Sequence, residues 1–391
     1  MNAVDIAGVG MTEFGKFPDR SPRSLVHEAV SAALTDAGMD GARVGAVYVS
    51  NAFGGSLQGQ DSVRGQVWLG ETDVAGAPVF NVENACAGGG SAISLARTAI
   101  VAGEVDVAVA VGVEKLTHPD RSKAITAMMG ALDQEELPAL RRSLGLSDGG
   151  SPFMRVYAGF AEAYMARSGA TQEDFARVAA KTHAHGALNP RAQHRRAISV
   201  EEVLAARPVE GPLTVPMCAP IGDGAAAVVL TSAALASAGG SPVRLLASVV
   251  GSGRRGEDGL LVPGTARRAF DAAGISPQDV DVLEVHDAAS PAELIVLEEL
   301  GIAGPGEAVG LVRAGETALG GRIPVNPSGG LVSRGHPLGA TGVAQVVELT
   351  DQLRARSGDR QVEGARLAVA ENAGGYLGPD AAAAAITVLA R

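Results

Sequence analysis

The sequence predicts an α/β fold made of two similar βαβ units with an inserted region between them. Two apolar, strand-like runs, VGAVYVS at 44–50 and VDVAVAVGV at 105–113, flank a small-residue helix that begins near Cys86. The same order recurs as VDVLEVHD at 280–287, GHPLGATG at 335–342 and ARLAVAENAGG at 365–375. Strands that alternate with helices form a mostly parallel sheet. The recurrence indicates an internal duplication.

An insertion interrupts this order from residue 115 to about residue 210, with polar stretches such as LGLSDGGSP and a predicted helix from Ser151 to Arg167. Insertions of this size in an α/β sheet typically carry substrate contacts, so we interpret the region as a lid. The sequence thus predicts an N-terminal half, residues 1–239, that includes the lid, and a C-terminal half, residues 240–391.

Composition narrows the class of protein. The 391 residues carry 32 Lys plus Arg against 43 Asp plus Glu, a net charge of −11, which argues against a nucleic-acid partner. The N-terminus lacks the basic and apolar regions of a secretory signal, and the most apolar run is too short to cross a bilayer. With no signal, no membrane span and only two cysteines, we expect a cytoplasmic protein.

Cys86 directly precedes three glycines that open the first small-residue helix. A helix N-terminus favours negative charge and so lowers a thiol pKa, which predicts a nucleophilic thiolate. The glycines leave room for an acyl group to approach. The structural alternative is a small buried hydrophobic residue. Cys218 lies at a Pro-bounded strand start without flanking glycines, so we predict a structural role for it.

The stretch NPSGGLVSRGHPLGATG, 326–342, places His336 before Pro337 at the start of a second helix. His336 occupies in the second repeat the place that Cys86 occupies in the first. The two side chains should therefore meet across a pseudo-twofold axis as nucleophile and base. The alternative is a histidine that merely satisfies a turn.

His286 and Asp287 end a predicted strand, before a helix whose Ser290 and Glu293 have the spacing of a capping box. Ligand sites gather at the carboxyl ends of parallel strands. We therefore predict that His286 orients an oxyanion or a water, while Asp287 is structural. A strand-end histidine with structural contacts only is the alternative.

In AENAGGYLG, 370–378, Glu371 and Asn372 follow an apolar strand, and Gly374 and Gly375 expose backbone N–H groups in a turn. Exposed amides suit an oxyanion. The alternative is a plain hairpin that leads into the last strand.

Together, these motifs resemble the thiolase superfamily over nearly the whole chain. GVGMTEFGKF, CAPIGDGAAAVVL and HDAASPAELI resemble more closely its sterol-carrier or lipid-transfer branch and the bacterial relatives described as acetyl-CoA acetyltransferases. The resemblance implies a thiolase-like five-layer fold and a homodimer formed through the first half. It also implies that no cofactor stays bound and that coenzyme A is a co-substrate in lipid metabolism.

The resemblance further implies a role for each site residue. Cys86 takes up the acyl group as a thioester, and His336 activates the thiol and points at the thioester oxygen. His286 replaces the asparagine with which many thiolases hold an oxyanion-hole water. Gly374 gives a backbone donor to a second oxyanion hole, which it shares with the amide of Cys86.

One departure is the missing second cysteine, which thiolases use to move the α-carbon proton. We place Asn372 at one of its two usual positions in the site and Ala288 at the other. An amide cannot shuttle a proton at neutral pH. The remaining candidates for this step are His336, His286, Glu371, Tyr376 and a water.

Coenzyme A contacts are predicted at two places. His183 and His185, with Lys181 and His194, form a polar cluster on the insertion that is expected to reach the phosphates, and Ser333 is the second predicted contact. A solvated loop is the alternative for the cluster. The His-x-His spacing comes with no nearby cysteine or carboxylate, so we predict no metal site.

The predicted function is cleavage or formation of a carbon–carbon bond of a β-oxoacyl-CoA through an acyl thioester on Cys86. Relatives that lack the second cysteine also include retro-aldolases that shorten steroid side chains, and some members pair with a small OB-fold, zinc-ribbon protein. A retro-aldolase acting on a bulky β-hydroxyacyl-CoA and a non-catalytic acyl-CoA or lipid-binding subunit therefore stay open. The presence of both Cys86 and His336 favours acyl transfer.

Overall fold

The structure is a computed structural model that describes residues 3–143, 152–235, 242–256, 259–378 and 380–391. The predicted boundary after residue 239 lies outside the described residues, as does LGLSDGGSP up to residue 151. The strands are β1 (Val4–Met11), β2 (Ala46–Ser50), β3 (Val79–Val82), β4 (Val107–Lys115), β5 (Pro208–Glu210), β6 (Leu213–Thr214), β7 (Asp223–Ser232), β8 (Val243–Ser252), β9 (Val282–Glu284), β10 (Leu367–Gly374) and β11 (Ala383–Ala390).

The helices vary in length from short turns to long core helices. They are α1 (Pro22–Ala37), α2 (Gly54–Gln58), α3 (Arg64–Leu69), α4 (Gly88–Ala102), α5 (Arg121–Met128), α6 (Leu137–Ser143), α7 (Pro152–Ser168), α8 (Gln172–Ala187), α9 (Val200–Ala205), α10 (Leu261–Ala273), α11 (Pro291–Glu299), α12 (Ala308–Arg313) and α13 (Leu338–Leu353). The helix predicted to begin at Ser151 is α7.

Nine strands form one sheet in the order β3-β2-β4-β7-β1-β8-β11-β10-β9, in which β2-β4-β7-β1 of the first half mirrors β9-β10-β11-β8 of the second. In the first half, β2 and β4 are parallel, while β7 is antiparallel to both β4 and β1. In the second half, β9 and β10 are parallel, while β11 is antiparallel to both β10 and β8. The halves join where β1 pairs with β8. The predicted duplication of a βαβ unit is confirmed, whereas the expectation of a mostly parallel sheet is wrong, because β7, β1, β8 and β11 pair antiparallel with their neighbours.

Helices cover both faces of each half and complete five layers. α4 and α13 pack against each other between the two halves of the sheet, while α1 and α10 cover the outer faces. The segment Ala85–Ala102 is long and apolar enough to cross a membrane by length and composition, but 61% of it is buried here. Its apolar character follows from its place in the central layer.

Glycines allow the two central helices to approach at backbone distance. A Cβ atom added at Gly89 of α4 would lie 2.8 Å from Val343 N of α13, and one added at Gly342 of α13 would lie 2.4 Å from Gly90 N of α4. Neither Gly89 nor Gly90 lines the cavity described below. The glycines after Cys86 therefore serve helix packing, and the expectation that they make room for an acyl group is wrong.

The insertion packs onto the second half of the chain. Tyr164 Oη donates to Glu298 Oε1 at 2.6 Å, and Lys181 Nζ lies 2.5 Å from Glu293 Oε1. Because Glu293 pairs with Lys181, the capping box predicted at Ser290 is wrong. The Ser290 backbone is already satisfied, since its N–H donates to Met217 O at 2.8 Å.

Candidate active site

A short 3-10 turn, Ala85–Ala87, presents Cys86 between the edge strand β3 and the helix α4. Ala85 has a φ of 47°, a left-handed conformation that non-glycine residues rarely adopt. Its backbone N–H donates to Glu83 Oε1 at 2.6 Å. The turn places the sulfur one turn before the helix, and Cys86 is partly exposed to a cavity.

His336 lies at the start of α13, as predicted, and its ring has a defined hydrogen-bond partner. The His336 Nδ1 atom lies 2.8 Å from Thr341 Oγ1, whose hydroxyl donates to Pro337 O at 3.2 Å. With the hydroxyl proton directed to Pro337 O, we assign the donor role in the contact with Thr341 to Nδ1. The neutral ring therefore keeps the lone pair of Nε2 free to accept a proton.

His286 follows β9 and faces the same cavity. Its backbone N–H donates to Glu371 Oε2 at 2.8 Å. Within the described part of the chain, its buried Nε2 atom has no hydrogen-bond partner. The His286 and His336 rings meet edge to face, with centroids 5.1 Å apart. An unpartnered buried ring nitrogen is available for a hydrogen bond with a carbonyl oxygen or a water in the cavity.

The sulfur of Cys86 and one ring nitrogen from each of His286 and His336 lie within 4.8 Å of one another. The structure thus brings together the nucleophile and the two histidines that the sequence predicted. A thiolate and two imidazoles are also ligand types that zinc accepts. Among the described residues they form one group with ligand-like spacing, and the predicted absence of a metal stays a prediction.

The surroundings keep this group uncharged at rest. Burial, together with the charge of Glu114, raises the pKa of the Cys86 thiol to about 12. Burial lowers the pKa of His286 to about 4 and holds that of His336 well below its usual range. The expectation that the helix N-terminus lowers the thiol pKa is wrong, because desolvation outweighs it.

Backbone amides converge on the sulfur from two segments. Hydrogen bonds from the Cys86 and Gly375 backbones each act to lower the pKa of the thiol. Gly374 lines the cavity beside this turn, and a Cβ atom added there would lie 2.8 Å from Cys86 N. The amide pair beside the sulfur is thus formed with Gly375, while the predicted donor role of Gly374 stays a prediction.

Asn372 lies on the opposite face of β10 from the cavity. Its Oδ1 atom would lie 2.3 Å from a Cβ added at Gly342 of α13, and Asn372 does not line the cavity. Successive residues of a strand point to opposite faces, so Glu371 faces the cavity and Asn372 faces the central helices. The predicted placement of Asn372 in the site is corrected accordingly.

The cavity has a volume of about 1150 Å³, and the insertion supplies much of its wall. The interpretation of the insertion as a lid with substrate contacts stays a prediction. Cys218 also lies on the wall, where its thiol donates to Thr214 O at 3.5 Å. The apolar side chains of the wall include Ile125, Met128, Phe153, Met154, Phe160, Val262, Ile295 and Val296.

A buried ion pair holds the loop that carries His336. Arg334 Nη1 lies 3.0 Å from Glu284 Oε2, and both side chains are almost completely buried. Leu331 N donates to Asp287 Oδ1 at 2.6 Å, which supports the predicted structural role of Asp287. The sequence analysis missed the pair, although two opposite charges within otherwise apolar motifs were a signal for it.

Of the two predicted coenzyme A contacts, His183 lines the cavity and Ser333 does not. His183 lines the cavity, but burial lowers its pKa to about 4, and Nε2 lies 3.2 Å from Pro216 O. Ser333 is buried, does not line the cavity, and donates its hydroxyl to His194 O at 2.8 Å. The expectation for Ser333 is therefore wrong, because its side chain anchors the insertion.

Two further members of the polar cluster are also structural. Lys181 pairs with Glu293, and His185 accepts from Leu319 N at 3.1 Å. The permanent cations on the cavity wall, which the sequence analysis missed, are arginines. They are Arg167, Arg195, Arg196 and Arg207.

Comparisons with known proteins match both halves of the chain. Two family models, described as the thiolase N-terminal domain and as thiolase C-terminal domain-like, match residues 4–201 and 261–391. An acetyl-CoA acetyltransferase of Methanothermobacter thermautotrophicus is 38% identical over 388 residues, which cover 96% of this chain and 97% of that protein. Sterol carrier protein 2 of Bos taurus is 35% identical over 389 residues, covering 95% of this chain and 70% of that protein.

The chain is also similar to a solved structure described as "Ltp2-ChsH2(DUF35) aldolase". The TM-score is 0.81 at 26% sequence identity, and the match covers 99% of this chain and 97% of that chain. The resemblance predicted from the motifs is confirmed over both halves.

Proposed function

The chain belongs to the thiolase family, and we propose that it cleaves or forms a carbon–carbon bond of a β-oxoacyl-CoA through a thioester on Cys86. The observation that carries the proposal is the convergence of the Cys86 sulfur with His286 and His336, within 4.8 Å, on the wall of one cavity. A thiol beside an imidazole base is the arrangement that nucleophilic acyl transfer requires.

In the cleavage direction, Cys86 Sγ attacks the β-carbonyl carbon while the thiol proton moves to Nε2 of His336. Both groups are neutral at rest, so this transfer separates charge only as the carbon–sulfur bond forms. The unpartnered Nε2 of His286 and the amides of Cys86 and Gly375 are the groups available to substrate oxygens. Preorganised donors of this kind stabilise developing oxyanions.

Breakage of the bond between the α and β carbons leaves an acyl thioester on Cys86 and an acyl-CoA enolate. The enolate takes up a proton and departs as the shorter acyl-CoA. Coenzyme A then attacks the thioester, and His336 returns its proton to the Cys86 sulfur. Coenzyme A is thus a co-substrate in this proposal.

We propose a bulky, apolar acyl chain as the substrate class. The cavity of about 1150 Å³ is walled by apolar side chains from α5, α7, α10 and α11. Pockets of this character bury most of the surface of an apolar ligand. The arginines at the same wall, Arg195, Arg196 and Arg207, are suited to the phosphates of coenzyme A.

The proposal is tested by thiolysis of a panel of β-oxoacyl-CoA compounds, with chromatographic separation of the acyl-CoA products. Wild type should consume free coenzyme A and release two acyl-CoA products, while Cys86→Ser should lose this activity at least 10³-fold. The control variant Cys218→Ser should retain thiolysis, so a loss confined to Cys86→Ser assigns the activity to the Cys86 thiol. Thiolysis by Cys86→Ser at the wild-type rate contradicts the proposal.

A retro-aldolase is the second candidate, favoured by the similarity to the structure described as an aldolase. A retro-aldolase cleaves a β-hydroxyacyl-CoA without an acyl-cysteine and without consuming coenzyme A. Supplying a bulky β-hydroxyacyl-CoA to wild type and Cys86→Ser separates the two functions. Cleavage that persists in Cys86→Ser supports the aldolase, whereas absence of any turnover in wild type supports a non-catalytic acyl-CoA-binding subunit.

A homodimer formed through the first half is part of the proposal. β3 is an edge strand, and its Phe80 is 51% exposed while its ring stacks on Tyr48 at 5.0 Å. An unpaired edge with an exposed aromatic ring favours pairing with a second chain. Light scattering should give a dimer mass for wild type and for the control Leu188→Glu, and a monomer mass for Phe80→Glu. A dimer in all three contradicts this interface.

A small OB-fold, zinc-ribbon protein is the proposed second partner, and the description of the aldolase neighbour as a complex with a DUF35 protein supports it. Co-expression with such a protein should yield a complex that contains zinc. We propose the cytoplasm as the compartment, since Cys86 and Cys218 are both free.

A further inference from the structure

A buried carboxyl group lies on the wall of the same cavity as Cys86, His286 and His336, and no step above uses it. Glu371 lies in β10, is 0% exposed and lines the cavity with Cys86, His286 and His336. Its Oε2 atom accepts the His286 backbone N–H at 2.8 Å. In the part of the chain that the structure describes, its Oε1 atom has no hydrogen-bond partner.

An unpartnered carboxyl oxygen at this depth is costly unless a ligand completes it. One oxygen of Glu371 is fixed by backbone, so the orientation of the carboxyl group is set, and the other oxygen remains available. The Glu371 backbone is held as well, because Gln345 Nε2 donates to Glu371 O at 2.8 Å. The group is thus preorganised rather than adaptable.

The charges around Glu371 allow it to exist in both protonation states near neutral pH. Burial raises the pKa of Glu371 to about 7, and the His286 N–H acts in the opposite direction. No ion pair with a lysine or arginine is found for Glu371 among the described residues. The titratable groups around it, from the neighbouring elements, are Cys86, Tyr157, Glu284, His286, Glu299 and His336.

The neighbouring groups are less suited to a proton transfer at carbon. Burial holds the pKa of His336 low, and in the proposed reaction its Nε2 atom takes the Cys86 thiol proton. Burial raises the pKa of Cys218 to about 11, and its thiol donates to the Thr214 carbonyl. An acid/base is most effective when its pKa lies near the working pH.

Resting on the proposed chemistry at Cys86, we infer that the Glu371 carboxyl is the acid/base that exchanges a proton with the α-carbon of the substrate. It takes the part of the second cysteine that this chain lacks. The assignment follows from its position, its burial and its unpartnered oxygen beside the sulfur and the two histidines.

The inferred step balances in protons and electrons. When the bond between the α and β carbons breaks, its electron pair stays on the α-carbon as an enolate. Protonated Glu371 gives its proton to that carbon and becomes a carboxylate. In the second half, the coenzyme A thiol gives its proton to the Glu371 carboxylate as its sulfur attacks the thioester, which restores the starting state.

Glu371→Gln separates the two half-reactions. The amide keeps an oxygen that can accept the His286 N–H, but it cannot transfer a proton. Acylation of Cys86 by a β-oxoacyl-CoA, in which the carbon–carbon bond breaks before Glu371 gives up its proton, should stay within about threefold of wild type when it is followed by intact-protein mass spectrometry. Exchange of the α-protons of the acyl-CoA with D₂O should fall at least 10²-fold. Glu371→Asp, which retains a carboxyl group, should recover part of that exchange.

The pH profile gives an independent readout. The limb near pH 7 in the exchange rate should disappear in Glu371→Gln and remain in Glu371→Asp, which retains a titratable carboxyl group at the same position.

Three outcomes overturn the inference. In Glu371→Gln, these are α-proton exchange within threefold of wild type, or equal losses of acylation and exchange. The third is loss of exchange in Tyr376→Phe or in Cys218→Ser while Glu371 is intact. Failure of the proposed function is distinct, because wild type itself would then form no adduct on Cys86.

Discussion

Gly374 is the position where one methyl group should disable the site without touching a reacting group. A Cβ atom added there would lie 2.4 Å from Ala87 N, 2.6 Å from Asn84 O and 2.8 Å from Cys86 N. All three atoms are backbone, and real Cβ contacts of this kind are not closer than 3.0 Å. Gly374→Ala must therefore push the turn that carries Cys86 away by about 1 Å, which costs on the order of 10²-fold in rate, or about 3 kcal/mol of activation free energy.

Rapid-quench mass spectrometry of the Cys86 adduct measures this loss directly. Thermal unfolding shows whether Gly374→Ala keeps its fold. The matched control is Gly264→Ala in α10, where an added Cβ meets nothing within 4 Å. The control should acylate at the wild-type rate and gain roughly 0.5–1 kcal/mol of stability. Acylation of Gly374→Ala within threefold of wild type would show that the added methyl group does not displace the turn that carries Cys86.

Three further predictions concern the groups that support the site. Arg334→Met should lower the free energy of unfolding by about 3–5 kcal/mol, because it leaves the Glu284 carboxylate buried and unpaired; an unchanged denaturant midpoint would count against this. Thr341→Val removes the acceptor of His336 Nδ1–H, and acylation should slow about tenfold, whereas an unchanged rate would show that the contact does not fix the ring. The pKa of Cys86 in the folded protein is raised to about 12, so the thiolate fraction grows with pH below that value. The rate of iodoacetamide labelling of the free protein should therefore rise about tenfold per pH unit from pH 7 to 9, whereas a plateau near neutral pH is the contrary result.

Much of the fold followed from the order of elements in the sequence. The apolar runs that became β2, β4, β9 and β10 are long enough and rich enough in β-branched residues to identify buried strands. The repetition of strand, helix and strand implied that Cys86 and His336 occupy equivalent places. That equivalence predicted that the side chains of the nucleophile and its base meet.

The errors arose where a small local difference decides the outcome. The sequence analysis ended the last strand of the second unit before Glu371, but β10 continues to Gly374. Because side chains alternate along a strand, that extension turns Glu371 towards the cavity and Asn372 towards α13. The alternation along β10 therefore decides whether the carboxyl group of Glu371 or the amide of Asn372 reaches the cavity.

The predicted electrostatics were wrong for a second reason, because the burial of a charged group depends on the whole folded chain and not on its neighbours in sequence. The helix after Cys86 suggested a lowered thiol pKa, yet desolvation raises it. Likewise, the Ser290 capping box failed because Lys181, more than a hundred residues away, pairs with Glu293. Neither effect depends on local sequence.

The central claim is that Cys86 carries the acyl group during the reaction. Intact-protein mass spectrometry after incubation with acyl-CoA and β-oxoacyl-CoA compounds, followed by a chase with free coenzyme A, tests it most directly. Wild type should carry an adduct of the acyl mass that the chase removes, and Cys86→Ala should carry none. An adduct that persists in Cys86→Ala, or turnover of a β-oxoacyl-CoA without any acyl adduct on wild type, would contradict the claim.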